Sequence, residues 1–253
     1  MHNLEDVTRL PDDFDGRVRL FPLPELVLFP HAMQPLHIFE PRYCEMLAES
    51  LQGDRLIAMA TLTGGLPITL TGQSASGHSA SGQAPIASTV CVGKIVSHAE
   101  LEDDRHNVLL VGIRRAKLLH EIDAGRPFRM AQVQVAEDVY PPAGSEQRPN
   151  LKKSLLRAFA SVIPVSKSVQ QNLHELMAGQ MSLGPITDII AYTLPFAAEQ
   201  KLRLLSDPDV DSRASELLRL LKSGAVHFAK PDESAEQGES ESGMRFPPPF
   251  SLN

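Results

Sequence analysis

The sequence contains no tryptophan, and only 5% of its 253 residues are aromatic. Aliphatic side chains must therefore fill its core. Cysteine is as scarce: Cys44 and Cys91 stand far apart with no Cys-x-x-Cys spacing, a pattern that favours buried free thiols over a disulfide. Basic residues are outnumbered, 24 Lys and Arg against 31 Asp and Glu, for a net charge of −7. That balance lacks the clustered positive footprint nucleic acid requires, so no nucleic-acid partner is expected. No apolar run approaches the roughly 18 residues that span a bilayer. The opening Met1-His2-Asn3-Leu4-Glu5-Asp6 also lacks a basic and apolar signal pattern. The expectation is a cytoplasmic protein with no membrane partner.

Catalytic motifs are missing as well. The one Gly-Lys pair, Gly93-Lys94, is followed by Ile95 and has Ser88 where a phosphate loop needs its first glycine. Gly77-His78-Ser79-Ala80-Ser81 comes close to a nucleophile elbow but lacks the final glycine and sits in low-complexity sequence. His174-Glu175 begins a zinc-protease pattern that fails at Ala178. Ser166-Lys167-Ser168 sets serine beside lysine, yet adjacent helical residues point about 100° apart. No catalytic residue, metal site or cofactor is predicted. His37 and His98 read as histidines satisfied by local hydrogen bonds.

What is present is a chain of ordinary globular composition, 42% hydrophobic and 22% charged, long enough for one large domain or two small ones. Its most informative stretch is residues 20–43. Two short apolar runs, Leu26–Phe29 and Leu36–Phe39, read as buried strands, and five prolines between Pro22 and Pro41 confine this stretch to sheet edges or bends. From Pro41 the period becomes helical through Tyr43, Met46, Leu47 and Leu51, with Gly53 as the stop.

Further along, 55–62, 89–98, 106–113, 115–122 and 128–135 carry strand character, with a hairpin turn at Glu102-Asp103-Asp104-Arg105. Residues 72–85, which repeat Ser-Ala-Ser-Gly, predict a mobile loop. After the hinge-like Pro141-Pro142-Ala143-Gly144, helical periodicity returns in five segments, over 151–162, 169–177, 184–194, 196–205 and 209–224. The limits expected are a flexible arm at 1–16, a β-rich part at 17–140, a helical part at 141–229 and a disordered tail at 230–253. The tail carries five acids against one lysine between Lys230 and Gly243, then Phe246-Pro247-Pro248-Pro249-Phe250.

The order Leu26-Val27-Leu28-Phe29-Pro30, then Pro35-Leu36-His37-Ile38-Phe39-Glu40-Pro41-Arg42-Tyr43, resembles the opening of the Lon N-terminal domain, the substrate-recognition domain of Lon proteases and cereblon-like proteins. Gly93, Gly112 with Arg115, Glu137-Asp138 and the last three helical segments continue that resemblance over about 17–222. It implies an α+β fold: a β-rich PUA-like pseudo-barrel with one helix, followed by a helical subdomain. It also implies a non-catalytic module that binds unfolded or apolar polypeptide segments, with an adaptor or regulator role beside a separate protease or chaperone as one form of it. Phe29, Met33, Leu36, Phe39 and Tyr43 are the candidate peptide-binding residues. Glu40 and Arg42 form a candidate ion pair, and Arg115 is placed to reach a carboxylate across the sheet. Two rival readings stay open, a small hydrolase or ligand-binding enzyme on the same barrel and a structural oligomer subunit.

Overall fold

A computed structural model describes residues 9–63, 84–163 and 181–224. Among the described residues, six strands and five α-helices follow one another in the chain. The strands are β1 (Arg17–Pro24), β2 (Met33–Ile38), β3 (Leu56–Leu62), β4 (Thr89–Glu100), β5 (His106–Ile122) and β6 (Arg129–Ala136). The helix α1 (Pro41–Gln52) lies between β2 and β3; α2 (Arg148–Val162), α3 (Leu183–Thr193), α4 (Ala198–Ser206) and α5 (Val210–Lys222) follow the strands. The α+β fold is as expected. Most of the Ser/Gly loop, the 169–177 segment, the Ser166-Lys167-Ser168 and His174-Glu175 motifs, and the tail lie outside the described residues.

The sheet runs β2-β5-β4-β3-β1-β6, with a further pairing of β5 to β6. Five strands therefore close into a ring, and β2 lies outside it on the first half of β5. Its neighbours explain where the prolines fall. β1 pairs with β6 only from Arg17 to Leu20, so Pro22 and Pro24 lie beyond that ladder, where a missing N–H costs no bond to β6. Within the ring sit Val18, Leu20, Leu56, Ala58, Val92 and Ile113, part of a cluster whose buried members are all aliphatic. A second cluster joins the ring to the helices and takes the aromatics, among them Phe21, Phe29, Tyr43 and Phe159.

Two local expectations are corrected. Val27, Leu28 and Phe29 are buried and Leu26 is half-buried, but 26–29 is not a strand. Glu25 and His31 both take positive φ, 56° and 65°, which turns the chain out of the extended path at both ends of the run, and Pro24 and Pro30 offer no N–H to a ladder. The polar groups of Leu26 are instead met singly: Leu26 N–H donates to Pro24 O, and Leu26 O accepts from Thr61 Oγ1 at 2.7 Å. Likewise the strands expected at 106–113 and 115–122 are one strand of 17 residues, whose first half pairs with β2 and second half with β6.

The turn before that strand holds Asp103 and Asp104 at positive φ, 60° and 53°, and is closed by Leu101 N–H donating to Arg105 O at 2.8 Å. Helix α1 starts at Pro41 and buries Tyr43, Met46 and Leu47, as its period predicts. Both cysteines are free; Cys91 is buried, which pushes its thiol pKa up, whereas Cys44 is only half-buried. Residues 9–16 meet the ring through Leu10 and Phe14, and Val133 N–H donates to Gly16 O at 2.8 Å.

Candidate functional site

The five candidate peptide-binding residues separate into two groups. Phe29, Leu36 and Tyr43 are buried; Met33 and Phe39 are 60% and 59% exposed. Phe29 lies in the loop before β2 and Tyr43 in α1; alternation along β2 separates the other three. Leu36 and Ile38 point into the core, which turns Met33, Pro35, His37 and then Phe39 to the other face. Pairing sets what lies beside them: Val111 next to Met33, Leu109 next to Pro35 and Asn107 next to His37. Leu109 and Val111 are half-buried, so a strip of hydrocarbon crosses two strands on the outer face. His37 steadies one end, with Nδ1 2.9 Å from Asn107 Oδ1 and its ring 5.9 Å from that of Phe39.

The buried three have structural roles. Tyr43 meets Phe21 edge to face at 4.5 Å, and Arg42 lies over the Tyr43 ring at the same distance while pairing with Glu40 at 2.7 Å. Phe29 anchors the irregular loop against β5, where a Cβ on Gly112 would lie 2.0 Å from Phe29 O. Only glycine allows that approach. Reciprocal bonds, His31 N–H to Gly112 O and Gly112 N–H to Ala32 O, both 2.8 Å, close the contact.

Arg115 finds its carboxylates off the sheet. Its guanidinium grips Asp188 of α3 at 2.7 and 2.8 Å, lies 3.3 Å from Asp138 beyond β6, and donates to Leu205 O at 2.9 Å. Arg213 of α5 completes the group, 3.0 Å from both Asp138 oxygens, 3.3 Å from Asp188 and 3.0 Å from Thr187 Oγ1. Arg115, Asp188 and Arg213 are essentially inaccessible. Burial pushes the Asp188 carboxyl up against the opposing pull of the two guanidiniums. Among the described residues, no buried side-chain nitrogen or oxygen lacks a partner. Arg213 escaped the sequence reading, although an arginine between Val210 and Ala214 on an otherwise apolar helix face signals a buried anion.

Beside this seam opens a cleft of about 210 Å³ lined by His31, Arg114, Glu137, Asp138, Tyr140 and Ser182, among others. Partial enclosure, then the Arg114 charge, lower the pKa of His31, which keeps the ring neutral near pH 7. Tyr140 Oη donates a hydrogen bond to Ser182 Oγ at 3.1 Å and accepts one from Gly184 N–H at 3.3 Å. Among the described residues, no group of three or more His, Cys, Asp or Glu is placed to hold a metal ion, and no helix is long and apolar enough to cross a membrane.

The model of the ATP-dependent protease La (LON) substrate-binding domain matches residues 17–223. The chain belongs to the Lon substrate-binding domain family. Lon protease of Desulfosudis oleivorans is 23% identical over 210 residues, which is 83% of this chain and 24% of that protein. Lon protease of Heliobacterium modesticaldum is 25% identical over 80% of this chain and 23% of its own length. The chain thus spans about a quarter of the length of these curated relatives, and what is matched is the Lon substrate-binding domain, not the ATPase or peptidase domains. Among solved structures, the N-terminal domain of Mycobacterium avium complex Lon protease superposes with a TM-score of 0.60 at 13% identity, covering 82% of this chain and 99% of that one. A Lon N-terminal domain protein from Xanthomonas campestris gives 0.53 at 19% identity, over 80% and 97%. These likenesses support the PUA-like Lon-domain fold.

Proposed function

We propose that this Lon-family chain is a polypeptide-recognition module without catalytic activity of its own, which holds unfolded or apolar segments on the outer face of β2 and β5. The observation that carries this reading is that Met33, next to half-buried Val111, and Phe39, just past the end of β2, are both exposed in a family named for substrate binding. Large apolar side chains left in water along one face mark a surface that gains free energy when a partner covers it. Residues 17–140 act as the reader, 141–229 as its support. In a cytoplasmic setting the module would present clients to a separate protease or chaperone, or restrain one.

Hydrogen exchange of the whole chain with and without a permanently unfolded, apolar-rich polypeptide tests this. Protection over 33–39 and 107–111 is expected. Protection confined to the cleft at His31 and Ser182, or none anywhere, would remove the proposal.

A further inference from the structure

The outer face is not the only surface β2 offers, because the strand also ends the sheet. Gly112 N–H donates to Ala32 O, so the backbone groups of residue 32 face β5, and by alternation those of 34, 36 and 38 do too. Those of 33, 35 and 37 face away, toward the open edge. Tyr192 confirms the parity: its hydroxyl, carried in from α3, lies 2.9 Å from Met33 O. At the next edge position stands Pro35, which has no N–H, and its carbonyl already accepts from Gln34 Nε2 at 2.8 Å. Two of the three edge-facing positions of β2 are therefore closed to a further strand. Lys201 holds the Tyr192 end of this arrangement, its Nζ 2.9 Å from Tyr192 O.

We infer that a polypeptide held here is read through its side chains lying across the outer face, and not by adding a strand to the edge of β2. This rests on the recognition reading above and narrows its substrate class. A strand-adding site depends on the free N–H and C=O groups of its peptide and rejects proline. A site that reads only side chains accepts apolar segments whatever their backbone can donate, proline-rich ones included. Blocking by proline and by a capping side chain is also how natural sheets keep edges from pairing with foreign chains.

The test compares a short apolar peptide with two twins of the same side chains, N-methylated at odd or at even positions, binding to the full chain. All three are expected to bind within about twofold of one another. If either twin binds tenfold or more weakly, roughly 1.4 kcal/mol, the peptide is pairing with the edge and the inference is overturned while recognition itself stands. If none of the three binds, the recognition reading falls and takes the inference with it. A Pro35→Val, Tyr192→Phe double variant, shown to be folded by circular dichroism, reopens the edge. In it a penalty for methylation should appear; its absence would overturn the assignment of the block to these two residues.

Discussion

The seam between ring and helices and the strip on β2 invert the usual distribution of polarity in opposite ways. At the seam, Arg115, Arg213 and Asp188 are charged and buried; on the strip, Met33 and Phe39 are apolar and exposed. Buried charge is costly unless it is paired and fully hydrogen-bonded, and here two guanidiniums meet two carboxylates with backbone carbonyls of the helical part taking further donors. The strip has no such compensation within the described residues. The comparison separates a self-sufficient contact, which holds the molecule together, from an incomplete one, which needs a second molecule.

The predictions that press on this contrast begin at the seam. Asp188→Ala leaves Arg115 and Arg213 short of a buried partner and should cost about 3–5 kcal/mol, read as a lowered midpoint in urea unfolding. Phe29→Ala, in the loop buried beneath the strip, should cost about 3–5 kcal/mol by opening a cavity. It should leave polypeptide binding by the folded fraction unchanged. Gly112→Ala forces a Cβ onto Phe29 O and should cost about 1–3 kcal/mol. Strip substitutions reverse the pattern: Met33→Ser or Phe39→Ser should shift stability by no more than about 0.5 kcal/mol. Each should weaken binding of an apolar polypeptide by about fivefold, the worth of roughly 1 kcal/mol of side-chain burial.

The smallest effect is expected with pH. Burial, and for His31 the neighbouring Arg114, hold the folded pKa of His31 and His98 below their ordinary value of 6.5. The unfolded chain then binds protons more readily, so their contribution is present above pH 6.5 and is lost as pH falls through the lower folded values. A shallow fall in melting temperature between pH 7.5 and 5.5 should result, flattened in a His31→Gln, His98→Gln variant.

Local chemistry made much of this legible. Pro41 and the spacing of Tyr43, Met46 and Leu47 announce α1; Pro22 and Pro24 announce an edge; Gly112 and Arg115 occupy positions a known family shares. Long-range partners decided the rest. Whether Met33 or Leu36 faces water depends on the register of β2 against β5, and a shift of one residue would exchange them. Arg115 was legible as a charge seeking a carboxylate, but Asp188 lies 73 residues away on α3. The 26–29 run looks like a strand because its hydrophobicity records burial, which an irregular loop wedged under Gly112 satisfies equally well.

The central claim is that the incomplete contact is the working one. The direct measurement titrates a permanently unfolded, apolar-rich polypeptide against the parent chain and a Met33→Ser, Phe39→Ser double variant, with the melting temperature of each recorded. The account predicts saturable binding to the parent, weakened at least about tenfold in the double variant at an unchanged melting temperature. Equal binding by the two proteins would contradict it.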